Sequence, residues 1–397
     1  MNRTSYEIKF ILAANRIITE NQELQLDLPG LRIAEHTMLD IRFLDTLQLG
    51  LYVNGWILRS RVKASKDKTE LTYKKRLPLS DNLSLEAALR EAEAQGFDLN
   101  NPDCKIEVEW GLQNRTLSLS YETYEKAPEA QQLEAWRALF KDHAPKELDE
   151  FSGDLDQSSL LGPVKAKKSK GAWSGMDISI EIWAIGAETI AEISMKSENE
   201  AEANAKHGHL KQLLQDAQVL SDRDVSKTKW ALDKLAKAVA DTDMLKQLRQ
   251  GGFGLYFRHA QPSDISIPDP DLSLLGREQA GKLGEWLRLQ DIPIQYPVSA
   301  SPMKRTHQTA ELIFGKENVA TDRQLAQMDK PDLLAAVPAA GINHAFVAHY
   351  NSFNGKVSPS QLNHLGLVVL QPKGAGNSFD VVHIMEPLSI QQAAKLT

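Results

Sequence analysis

Three apolar runs late in the chain end in basic groups. Arg258 and His259 follow GLYF, Lys304 and Arg305 follow VSASPM, and His349 follows AFVA. Each group stands where a strand-like run gives way to a loop or helix, and an open α/β sheet gathers such strand ends at one edge. Arginine offers a planar fork that pairs bidentately with phosphate oxygens, and a neutral imidazole is a competent nucleophile toward phosphorus. Two histidines and two arginines converging there would hold a tetrahedral oxyanion. Ser301 is read as a cap for the helix that follows, and His307, His344 and His364 as surface or helix residues.

A second set of chemistry-bearing residues lies in the first two hundred positions. Charges alternate with apolar residues in YEIKF (Glu7, Lys9), ILRSRV (Arg59, Arg61), ELTYK (Lys74), IEVEW (Glu107, Glu109), VKAKK (Lys165, Lys167) and IAEIS (Glu192). Alternation puts each pair on one face of its strand. If the sheet closes, that face lines a polar lumen, where the basic residues would hold a polyphosphate and the acidic ones a divalent cation.

The elements that must position these groups fall into two patterns. Up to about residue 200, period-two runs such as IEVEWGL (106–112), TLSLSYETY (116–124), ISIEIWAI (178–185) and TIAEISMK (189–196) predict an antiparallel sheet or barrel. Helices are predicted over 84–96, with Ser84 as N-cap and Gly96 as stop, and over 127–143, while SGDLDQSSLLGP reads as loop. Residues 198–250 are Ala-, Glu-, Lys- and Leu-rich at helical spacing, and Gly251-Gly252 breaks them. Beyond it the order is strand, helix, strand, helix and strand, closed by two further strands, which predicts an α/β three-layer sandwich. The division expected is residues 1–240, a linker 241–252, and residues 253–397.

Composition excludes several classes. A chain of 397 residues can form two or three domains, and its 42% apolar and 25% charged content is that of ordinary globular protein. No apolar run approaches the roughly 18 residues of a membrane span, and the start reads as a strand rather than a leader. Net charge of −7 argues against general nucleic-acid affinity, and Cys104, the one cysteine, forms no internal disulfide. The expected location is cytoplasmic.

RHA, then DLSLLGREQAGKLGEWL, SASPMKRTHQTAELI and FVAHY resemble, in that order, the histidine phosphatase superfamily, in its small phosphohistidine phosphatase branch, over roughly residues 253–387. The resemblance implies attack by His259 on phosphorus, with Arg258, Arg305 and His349 clamping the equatorial oxygens. A phosphorylated small molecule or a phosphohistidine protein would be the substrate, and no metal is needed. Asp329, or else Asp332, in QMDKPDLL is the candidate leaving-group acid. Ala260 and Gln261 stand where relatives often carry Gly and Glu.

The N-terminal portion resembles the CYTH, or triphosphate tunnel metalloenzyme, superfamily over residues 3–240, chiefly in FLDTLQLGLYVNGWILRSRV, ELTYKK and IAEISMKSENEAEA. This implies an eight-stranded tunnel that binds a triphosphate or polyphosphate through Lys9, Arg59, Arg61, Lys74, Lys165 and Lys167. Mg²⁺ or Mn²⁺ would be held by Glu7, Glu107, Glu109 and Glu192. Ser5 and Ser194 stand where relatives carry glutamates, so carboxylates are lost while basic residues persist. The leading expectation is therefore a phosphatase acting through His259, fused to an anion-binding tunnel. The alternatives are a regulatory polyphosphate- or nucleotide-binding protein, and a Mg-dependent inorganic triphosphatase whose C-terminal domain is accessory.

Overall fold

The structure, a computed structural model, describes residues 4–19, 25, 28–63, 68–80, 84–264, 266–327, 331–351, 353, 355–374 and 376–386. The chain divides into two compact units, Met1–Lys237 and Ala238–Thr397.

The first unit is a closed barrel of nine strands: β1 (Ser5–Leu12), β2 (Leu31–Asp45), β3 (Trp56–Lys63), β4 (Lys68–Leu79), β5 (Lys105–Trp110), β6 (Arg115–Lys126), β7 (Ser159–Trp173), β8 (Met176–Ile185) and β9 (Glu188–Ser197). Nine rather than eight strands close it, in the order β1-β5-β6-β4-β3-β2-β7-β8-β9. The β1–β5 pair is parallel and joins the ends of an otherwise antiparallel sheet. The stretch read as loop after Phe151 is a short helix, Ser152–Gln157, followed by the start of β7.

The hydrophobic alternation faces outward. Leu58, Leu71, Tyr73, Leu117 and Leu119 form a core beneath helices Leu85–Ala94 and Leu133–Asp142, where Trp136 and Phe140 are buried. Tyr6, Ile8, Phe10, Ile180 and Ile193 form another with Leu210 and Leu214 of helix Glu200–Asp216. With both apolar faces covered by helices, the charged residues of the same strands are left to line the barrel's interior.

Helix Lys227–Leu248 crosses the division between the units, so residues 241–248 of the expected linker are helical, and Leu248 is fully buried in the C-terminal core. That unit is built on β10 (Gly254–Arg258), β11 (Val298–Ala300), β12 (Val319–Thr321), β13 (His344–Ala348), β14 (Leu367–Pro372) and β15 (Phe379–Met385). The sheet order is β12-β11-β13-β10-β14-β15, with four parallel strands and an antiparallel pair at one edge. Helices Leu274–Leu289 and Lys304–Phe314 pack on it. Gly276, in the first turn of the former, lies so close to the loop after β10 that a Cβ would sit 2.3 Å from the Gln261 carbonyl oxygen. That approach, which only glycine permits, fixes the loop carrying the histidine.

Candidate functional sites

The C-terminal site forms where β10, β11 and β13 end. His259 continues β10, and its backbone N–H donates to the Ala348 carbonyl at 2.9 Å. The next amide, Ala260, donates to Thr309 Oγ1 at 3.0 Å, so helix Lys304–Phe314 holds the turn in place. The His259 ring is buried at 7% exposure. Its Nδ1 lies 2.8 Å from the Ala260 carbonyl, which can only accept, so Nδ1 carries the proton and Nε2 keeps its lone pair. Burial, with smaller contributions from His349, His364 and Arg305, lowers its pKa to about 3. The imidazole is therefore a neutral base across the physiological range.

The His349 ring lies 5.4 Å from that of His259. Arg305 Nη2 approaches His349 Nδ1 at 3.4 Å, and a guanidinium only donates, which places the His349 proton on Nε2, 3.3 Å from Ser301 Oγ. Ser301 thus bonds His349 and caps no helix; Met303 is the N-cap residue of Lys304–Phe314. Arg305 also donates to the Pro268 carbonyl at 3.1 Å and has Asp269 at 3.9 Å. Arg258 Nη1 donates to the Leu362 carbonyl at 2.8 Å, while its Nε is buried without a partner.

His364, read from sequence as a surface or helix residue, belongs to this cluster. Its ring is 5.2 Å from that of His259, and its Nδ1 bonds the His259 carbonyl at 3.1 Å. Burial, then Arg258, lowers its pKa. No strand ending announces it in LNHLG, so pattern gave no cue. His307 and His344 pair elsewhere, with Thr321 and Gln295. Asp329 lies outside the described residues, and Asp332 is exposed on a short helix.

The depressed His259 value makes a stability prediction with a definite sign. Above the ordinary value of 6.5 both folded and unfolded imidazoles are neutral, so the residue adds no pH dependence. As pH falls from 6.5 toward about 3 the unfolded chain takes up a proton that the folded one refuses, and stability declines. In His259→Asn that part of the decline should disappear, as read from urea unfolding midpoints at neutral pH and at about pH 4. An unchanged slope would show that the ring titrates normally.

The N-terminal site is the barrel interior, a cavity of about 380 Å³ lined by eight basic and seven acidic side chains. Glu7, Lys9, Arg59, Arg61, Lys74, Glu107, Glu109 and Glu192 all face it, as the alternation requires. Lys165 and Lys167 do not. On β7 the inner face is the one shared by Val164, Ala166 and Lys168, and Lys168 reaches Glu181 at 3.0 Å. Lys165 points the other way and pairs with Asp40 at 2.9 Å. Arg76, Lys168, Glu181 and Lys227 were missed. Arg76 could have been found two residues beyond Lys74, and Glu181 in the alternation of ISIEIW.

The interior is a nearly closed network of ion pairs. Glu109 receives Lys74 at 2.7 Å on Oε1 and Arg76 at 2.7 Å on Oε2, with Lys9 at 3.3 Å. These cations hold its carboxyl well below the usual range despite its burial. Glu7 pairs with Lys9 at 2.8 Å, and Glu107 with Lys196 at 2.8 Å. Arg59 stands apart. Its Nη2 meets Thr72 Oγ1 at 3.3 Å, its Nε has no partner, and burial beside Arg61 lowers its pKa to about 10. Arg61 has carboxylates only at 3.9 and 4.0 Å and likewise an unpartnered Nε.

Three carboxylates, Glu7, Glu107 and Glu109, offer oxygens within 4.8 Å of one another. Both oxygens of Glu109 accept N–H bonds, from Lys74 and Arg76, while Glu7 and Glu107 each hold an ammonium on one oxygen. Glu192 pairs with Lys227 at 2.9 Å, and Ser194 replaces a second carboxylate on β9. Each of these four carboxylates thus has a lysine or arginine of this chain against it, with which Mg²⁺ or Mn²⁺ would compete.

Asp45, within the FLDTLQLG stretch that carries the N-terminal resemblance, has a structural place. It accepts from the amides of Thr46, Leu51 and Tyr52 at 2.7, 2.9 and 3.0 Å, tying down the turn before β3.

Comparison with known proteins gives one family match and several structural ones. Residues 257–335 match the Histidine phosphatase superfamily (branch 1). No curated protein matches the chain. A putative adenylyl cyclase from Hippeastrum, described as having a dominant triphosphatase activity, is 17% identical, over 57% of this chain and 94% of its own, with a TM-score of 0.37. A putative adenylate cyclase from Bacillus halodurans is 14% identical, over 58% of this chain and 98% of its own, with a TM-score of 0.33. The protein histidine phosphatase SixA, complexed with tungstate, is 15% identical, over 35% of this chain and 99% of its own, with a TM-score of 0.29. Among the described residues no helix is long and apolar enough to cross a membrane. Residues 257–335 thus resemble a histidine phosphatase domain of branch 1.

Proposed function

We propose that the protein is a phosphatase that acts through a phosphohistidine at His259, fused to a tunnel that binds a triphosphate or polyphosphate anion. The observation that carries the first half is the His259 tautomer. Nδ1–H is fixed on the Ala260 carbonyl, and Nε2 presents its lone pair beside Arg305 and His349. In the first step that lone pair forms an N–P bond while the bond from phosphorus to the leaving group breaks, its electron pair departing with that group. Arg305, His349 and Arg258 draw on the equatorial oxygens as charge spreads over them. Water oxygen then attacks phosphorus, the N–P pair returns to Nε2, and the water proton leaves on inorganic phosphate. A phosphoramidate such as phosphohistidine is the substrate class favoured here, because a phosphoimidazole leaves readily without a strong acid to protonate it. The tunnel half rests on Arg59 and Arg61, two half-buried guanidinium groups on one face of β3 whose Nε atoms have no partner and whose carboxylate contacts, Glu70 and Glu181 on Arg61, are long at 3.9 and 4.0 Å. Desolvated cations of that kind call for an anion.

The direct test is to quench the full chain during turnover of a phosphohistidine peptide and locate the phosphoryl group by mass spectrometry. It is expected on His259, acid-labile and stable to alkali. Turnover with the label on another residue, or with none, would sink the assignment.

A further inference from the structure

Lys227, the first residue of helix Lys227–Leu248, sends its ammonium into the barrel interior. There it lies 2.6 Å from Glu181 and 2.9 Å from Glu192, on neighbouring strands β8 and β9, and 4.6 Å from the centre of the Trp183 ring. The side chains of Lys227 and Glu181 are 9% and 8% exposed, so the contact is desolvated and strong. Both oxygens of Glu181 are engaged: Oε2 also accepts from Trp183 Nε1 at 3.1 Å, and Oε1 holds Lys168 at 3.0 Å.

We propose that the tunnel takes its polyphosphate-type anion without a divalent cation, because nitrogen cations of this chain already neutralise its carboxylates, with Lys227 bridging Glu181 and Glu192 as Lys74, Arg76 and Lys9 serve Glu109. The proposal rests on the anion-binding reading of Arg59 and Arg61 and adds the means by which the carboxylates are neutralised. Each interior carboxylate discussed above already has a nitrogen cation of this chain against it, so an incoming anion meets guanidinium groups rather than bare carboxylates. A divalent cation would have to compete with Lys227 at Glu181 and Glu192, and with Lys74 and Arg76 at Glu109. A lysine ammonium is a compact point charge with three donors, suited to bridging two carboxylates.

The test is calorimetric titration of the full chain carrying His259→Ala, so that nothing is turned over, with tripolyphosphate in EDTA and then in millimolar Mg²⁺. Binding is expected in EDTA, no tighter with Mg²⁺, and weakened about tenfold or more by Arg59→Ala, which assigns it to the tunnel. Lys227→Met leaves Glu192 without its ammonium and Glu181 with Lys168 as its close partner; affinity in EDTA should fall about tenfold and be recovered by Mg²⁺. Lys227→Arg should behave as the parent, and thermal melting of both variants separates a lost contact from a lost fold. Binding by the parent only when Mg²⁺ is present would overturn the cation replacement and leave the anion reading standing. Binding in neither buffer would overturn both.

Discussion

Replacing His259 with alanine is expected to lower turnover of a phosphohistidine peptide or a generic phosphomonoester by about 10⁴-fold or more, since the group that forms the covalent bond is gone and water has no comparable base to replace it. The phosphoryl-enzyme should vanish with it. The fold should survive, because the side chain's hydrogen bond goes only to the neighbouring Ala260 carbonyl while the backbone N–H keeps its bond to Ala348. Melting curves check that point. Tripolyphosphate binding in the tunnel should be untouched, which separates the two sites in one preparation. EDTA should leave parental turnover unchanged, since His259 is poised by burial and by its tautomer. Activity that persists in the alanine variant would move the chemistry elsewhere.

Much of this arrangement could be read from residue order, and the failures have identifiable causes. Strand alternation placed Glu7, Lys9, Arg59, Arg61, Lys74, Glu107 and Glu109 on one face because a helix-covered barrel leaves no other place for charge. The same rule misplaced Lys165 and Lys167, since VKAKK carries lysines on both faces and only the buried Val164 and Ala166 tell which face is inner. Lys227 was invisible. It stands in KTKWALDK, an ordinary amphipathic-looking helix start, and its partners lie 46 and 35 positions away on strands whose pairing with that helix no local pattern encodes. His364 escaped for a similar reason: it reaches His259 from the turn before β14, an antiparallel strand, rather than from a parallel strand end. Strand ends found His259, Arg305 and His349 because a parallel sheet delivers its carboxyl ends to one edge whatever the intervening sequence.

Arg305→Ala should reduce kcat/KM by about 10²- to 10³-fold, the usual loss when one fixed donor to a developing oxyanion is removed. The guanidinium is held by the Pro268 carbonyl at 3.1 Å and by His349 Nδ1 at 3.4 Å, with Asp269 at 3.9 Å. Its loss would therefore also release the His349 ring, whose tautomer it sets. If the fork pairs with transition-state charge, most of the loss should fall in kcat, whereas a group that only gathers substrate would raise KM alone. Arg305→Lys sharpens the distinction. Lysine supplies the charge but cannot bond Pro268, His349 and two phosphate oxygens at once, so it should recover only a small part of kcat while restoring much of KM. Full recovery by lysine would mean that charge, rather than geometry, is what this position contributes, and would remove the reason for placing Arg305 against the equatorial oxygens.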